Sequence, residues 1–79
     1  MALIRGFERF TKDQSRIHRT EVTCYYAGFE RGGRRFLQLE TRGSDDRKFE
    51  GKVSQTLQLD ADGARELVRI ARTAFPELG

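Results

Sequence analysis

The 79-residue chain has one cysteine, one histidine, one proline, no tryptophan and no asparagine. A lone thiol cannot close an intramolecular disulfide. Cys24 and His18 together also fall short of the four-coordinate ligand set of a structural zinc site. Nucleophilic catalysis needs a nucleophile beside a positioned base. On one extended strand, His18 and Cys24 would share a face but stand roughly 20 Å apart at about 3.3 Å per residue, so Cys24 reads as a small buried apolar residue. Phosphate-cradling and dinucleotide-binding glycine patterns are absent, and Asp45-Asp46 reads as a solvated loop rather than a magnesium site. Long apolar runs are missing too. Arg5, Glu8 and Arg9 interrupt the apolar start, which predicts neither a signal peptide nor a membrane span. These absences point to a non-catalytic protein without metal or cofactor. The single thiol suits a reducing compartment, so the expected location is the cytoplasm, in a chain of bacterial style.

What is present fits one small domain. A chain of this length buries a modest fraction of its surface, and with disulfide and metal excluded, self-association is the remaining common route to more burial; the expectation is a homodimer. Net charge is +3. Residues 1–20 carry five Lys/Arg against two Asp/Glu, residues 21–59 seven against six, and residues 60–79 three against four, so the positive excess lies at the front of the chain. An excess of this size serves solubility as readily as it serves a polyanion.

Periodicity predicts an α+β domain: an antiparallel sheet of three to four strands closed by one C-terminal helix. Residues 1–14 hold Leu3, Ile4, Phe7 and Phe10 at helical spacing, but Gly6 intervenes and no cap precedes them. They fit a first strand, a short helix or an arm. Residues 16–29 alternate as a long strand with Val22, Cys24 and Tyr26 toward the core, and Glu30-Arg31-Gly32-Gly33 reads as a hairpin turn. Residues 34–42 form the return strand, with Leu37, Leu39 and Thr41 on one face and Phe36, Gln38, Glu40 and Arg42 on the other. A polar connection, 43–52, is a long loop or an irregular hairpin tip. Residues 53–59 form the next strand, with Val53, Gln55, Leu57 and Leu59 on one face. Asp60 is placed to cap a helix from Ala61 to Ala74 that carries an apolar stripe of Ala64, Leu67, Val68, Ala71, Ala74 and Phe75, and Pro76 stops it.

One helix covers one side of a sheet. The other side should carry Arg19, Thr23 and Tyr25, then Phe36, Gln38 and Arg42, then Ser54, Thr56 and Gln58. Aromatic rings stack bases, guanidinium and ammonium groups neutralise phosphates, and amides and hydroxyls hydrogen-bond to bases. The candidate nucleic-acid-binding residues are therefore Arg19, Tyr25, Phe36, Gln38 and Arg42, with Lys48 and Lys52 guiding the backbone. Glu21 and Glu40 share that face and oppose phosphate unless paired with Arg19 or Arg42. The same aromatics suit a protein interface, so a protein-interaction or small regulatory subunit is the alternative.

Arg35-Phe36-Leu37-Gln38-Leu39-Glu40, the polar loop, Gly51-Lys52, Val53 through Leu59 and the terminal amphipathic helix resemble the PC4-like single-stranded DNA-binding fold over roughly half the chain, Gly33 to Phe75. The resemblance implies a curved antiparallel sheet, dimerisation through the helix, single strands on the concave sheet face and a role in transcription regulation. The chain departs from that pattern in being less basic, and in following Glu40 with Thr41-Arg42-Gly43-Ser44 rather than an aromatic-rich segment. Leu37 through Ser44 and Lys52-Val53-Ser54-Gln55 also resemble short bacterial proteins that carry the label methionyl-tRNA formyltransferase. That label implies folate-dependent formyl transfer, which takes a cofactor cleft and an Asn/His/Asp set; this chain has no asparagine and one histidine.

Overall fold

The computed structural model describes residues 1–11, 16–42, 53 and 55–79. Four strands, β1 (Ala2–Leu3), β2 (Cys24–Arg31), β3 (Arg34–Thr41) and β4 (Gln55–Asp60), are followed by helix α1 (Ala61–Ala74) and a 3₁₀ turn, Pro76–Leu78. The strands form one sheet in the order β1-β4-β3-β2.

The β2–β3 hairpin turns through Gly32 and Gly33, both at positive φ (62° and 79°), as a tight two-residue connection of type I′ requires. Glycine takes these angles without the Cβ clash that any other side chain would meet. From the turn the ladder runs from Arg31 opposite Arg34 to Cys24 opposite Thr41. There β3 ends. The long strand expected from residue 16 begins only at Cys24. Ahead of it the Thr20 amide donates to His18 Nδ1 at 3.1 Å, a local bend in place of extended pairing.

β3 pairs antiparallel with β4, from Phe36 opposite Asp60 to Thr41 opposite Gln55. The free edge of β4 is taken by β1, in parallel: Ala2 lies opposite Leu57, Leu3 opposite Gln58, and the Ile4 amide donates to the Gln58 carbonyl at 2.9 Å. The expectation of a wholly antiparallel sheet is corrected here. The ambiguous N-terminal segment becomes a two-residue parallel edge strand, and the sheet is mixed. The expected connection 43–52 lies outside the described residues.

Asp60 joins sheet to helix. Its carboxylate accepts from the Gly63 amide at 2.8 Å and so satisfies one of the unpaired N–H groups of the first turn. Gly63 is buried because the first turn presses on β4. A Cβ there would lie 3.3 Å from Asp60 Oδ1 and 3.4 Å from Leu59 Cδ2. At the far end the Phe75 amide still reaches the Ala71 carbonyl, and Pro76, which lacks an amide hydrogen, opens the 3₁₀ turn.

The core is thin. Leu59 is the one large apolar side chain fully buried among the described residues, 1% exposed. Helix α1 packs on β4 and β3 and does not reach β2. Val22, Cys24 and Tyr26, expected in the core, are therefore exposed, Tyr26 at 79%. The helix is also turned from its expected stripe. Gly63, Ala64, Glu66, Ile70 and Ala71 are covered or half-covered, while Leu67, Val68 and Phe75 stay exposed. No helix among the described residues is long and apolar enough to cross a membrane.

Candidate nucleic-acid interface

Strand alternation and register sort the sheet into two sides. Tyr26, Leu37, Leu39, Leu57 and Leu59 lie on the side that receives α1. Leu3 of β1, Tyr25, Phe29 and Arg31 of β2, Arg34, Phe36, Gln38 and Glu40 of β3, and Thr56, Gln58 and Asp60 of β4 lie on the other. The aromatic positions of this open side are Tyr25, Phe29 and Phe36. Phe29 and Phe36 sit opposite each other in the hairpin and stack with centroids 5.3 Å apart and planes 24° apart. Such a pair adds about 0.5–1.5 kcal/mol beyond the area it buries, and its position across the hairpin locks the register that places it.

Two guanidinium groups lie over these rings. Arg34 Cζ is 5.0 Å from the Phe36 centroid, and Arg42 Cζ is 4.3 Å from the Tyr25 centroid. Each is also held by a carboxylate: Arg34 Nη2 is 3.1 Å from Asp60 Oδ2, and Arg42 Nη2 is 3.5 Å from Glu40 Oε1. The repulsion that Glu40 would exert on a phosphate is thus partly cancelled by Arg42. Arg31 has no carboxylate partner among the described residues and lines a shallow concavity with Leu3, Phe29, Phe36, Gln38 and Gln58. The opposite end of this face, by Thr56 and Glu40, is more enclosed: Thr56 is 8% exposed.

Between the two ends runs a row of side-chain amides. Gln58 Nε2 donates to Gln38 Oε1 at 2.8 Å, and Gln38 Nε2 donates to Glu40 Oε2 at 2.6 Å. Charge-assisted bonds of the second kind are the stronger ones, so the row is anchored at the carboxylate.

Of the residues expected at the site, Tyr25, Phe36, Gln38 and Arg42 are brought together on one side. Arg19 is not placed with them: it lies in the bend before β2, because pairing starts only at Cys24. Glu21 is likewise ahead of the sheet. Lys48, Lys52, Ser54, Asp45 and Asp46 lie outside the described residues. Sequence reasoning left Phe29, Arg31 and Leu3 out of the site. For the first two the signal was available, since Tyr25-Ala27-Phe29-Arg31 continues the alternation that selected Tyr25. Leu3 carried no such signal, because its face depends on a parallel pairing with β4. Among the described residues no cluster of three or more His, Cys, Asp or Glu side chains could hold a metal ion. Compared with protein-family models, curated proteins and solved structures, the chain matches none of them.

Proposed function

We propose that this protein is a nucleic-acid-binding module that takes single-stranded DNA or RNA on the open side of its sheet, as a homodimer whose second copy covers the helix side. The observation that carries the reading is the grouping of Tyr25, Phe29 and Phe36 on one side of the sheet, the side away from α1, with Arg31, Arg34 and Arg42 interleaved. Tyr25 is 46% exposed, with the Arg42 guanidinium over its ring. Successive bases stack on rings of this kind, and the sequence tolerance of stacking suits an unpaired strand rather than a duplex. Arg31 supplies a cation for a phosphate, and Arg34 and Arg42 can exchange a carboxylate for one. The second copy is supported by Tyr26, Leu57, Leu67, Val68 and Phe75, all exposed on or beside the helix side.

Fluorescence anisotropy with labelled single-stranded oligonucleotides tests the reading. Affinity should fall as salt rises from low to moderate, with a logarithmic slope of about −0.7 per phosphate neutralised. Phe36→Ala should cost about 1–3 kcal/mol of binding. Absence of binding, or binding indifferent both to salt and to Phe36→Ala, overturns it.

A further inference from the structure

The row of polar side chains across the open face has a fixed direction. An ionised carboxylate offers acceptors only, so Glu40 accepts from whichever end of the Gln38 amide meets it, and that end must be nitrogen. Gln38 therefore presents its oxygen on the other branch, where it accepts from Gln58 Nε2. Gln58 is oriented in turn, nitrogen toward Gln38 and oxygen turned away. Flipping Gln38 would set its oxygen against the carboxylate; flipping Gln58 would set oxygen against oxygen. No described residue donates to Gln58 Oε1. Gln58 lines the same concavity as the Phe29–Phe36 pair, between Leu3 on β1 and Gln38 on β3.

We propose that Gln58 Oε1 reads the edge of a base lodged in this concavity, and that the site consequently prefers adenine and cytosine, whose amino groups sit at purine C6 and pyrimidine C4, over thymine. The inference rests on the nucleic-acid reading above and adds what that reading leaves open, the ligand's base composition. The N6 amino group of adenine and the N4 amino group of cytosine are hydrogen-bond donors, whereas thymine carries a carbonyl at the equivalent position and would set oxygen against oxygen. Glu40 and Gln38 act here as positioning residues: they hold the polarity of Gln58. One neutral hydrogen bond gained or lost corresponds to about a two- to tenfold change in affinity.

The test titrates the full-length protein with labelled oligo-dA, oligo-dC and oligo-dT of equal length at one salt concentration. Oligo-dA and oligo-dC should each bind about two- to tenfold more tightly than oligo-dT. Gln58→Met, which keeps length and removes the acceptor, should bring the three affinities together, chiefly by weakening oligo-dA and oligo-dC. Glu40→Gln removes the anchor that fixes the amide direction. It should shrink the preference even though the lost negative charge strengthens binding to all three strands, a change in ratio that a merely structural role for Glu40 would not produce. Equal binding of the three strands by the native protein, a preference for oligo-dT, or a preference that survives both substitutions overturns the inference while leaving the nucleic-acid reading in place. Binding to none of the three overturns both.

Discussion

The two sides of this sheet are built from the same strands, one residue out of phase, and they differ in how far each is finished within a single chain. On the helix side Leu59 is sealed against the first turn of α1, but the covering stops at β3. Tyr26, Leu57, Val68 and Phe75 continue the apolar surface and are exposed. On the open side every carboxylate described on the strands has a cationic partner, the amides are bonded in sequence and the rings are stacked or covered by guanidinium groups. An apolar surface gains by being covered, whatever covers it, because the hydrophobic driving force scales with area and has no direction. A polar and aromatic surface is ordered largely by its own internal bonds and can still take a ligand through stacking and ion-pair exchange. In the proposed reading, self-association falls to the first side and recognition to the second.

The largest way to break the comparison is Leu59→Ala. Leu59 is the fully buried apolar anchor of the described residues, and its truncation should cost about 2–5 kcal/mol, enough to unfold a domain this small; urea denaturation followed by circular dichroism measures it. Next comes Val68→Asp, which sets a charge in the uncovered apolar surface of α1 without touching the sheet. If a second copy covers that surface, light scattering after size exclusion should show the mass fall from dimer to monomer; an unchanged mass would reassign the surface. A smaller effect comes from Asp60, which serves both sides at once through the Gly63 cap and the Arg34 ion pair. Asp60→Ala should lose about 0.5–2 kcal/mol of stability, while Asp60→Asn keeps a capping oxygen, frees Arg34 and should strengthen single-strand binding in anisotropy titrations at low salt.

The smallest effect is on the exposed surface of α1. Glu66 is held below its ordinary value of 4.5, chiefly by the hydrogen bond from Arg69. A carboxyl with a depressed folded-state value contributes stability above its unfolded value, and that contribution disappears as pH falls through the folded value. Thermal melts of the native protein should therefore lose a small increment below about pH 4.5 that Glu66→Gln lacks, and the increment should shrink in salt, since Arg69 is exposed and Glu66 only half-covered.

Local chemistry carried much of the fold. The two glycines demanded a tight turn, Asp60 demanded a helix start, and Pro76 demanded a stop; each is a short-range steric or hydrogen-bonding rule, and each held to within a residue. The sharing of one side by Tyr25, Phe36, Gln38 and Arg42 followed from period two alone. Three features were not legible. The length of β2 depends on where β3 ends, and β3 lies on the far side of the turn. The place of residues 1–4 depends on a β4 edge more than fifty residues away in sequence. The exposure of Val22, Cys24 and Tyr26 depends on how far one helix extends across four strands, which no alternation of side chains encodes.

By itself the amino-acid sequence determined the alternation, the turn and the caps, because these are settled among neighbours a few residues apart. Only the tertiary structure decided that Phe29 meets Phe36, that Glu40 orients Gln38 and Gln38 orients Gln58, and that α1 leaves β2 bare. Those outcomes rest on register between strands distant in the chain and on the finite area that one helix can cover.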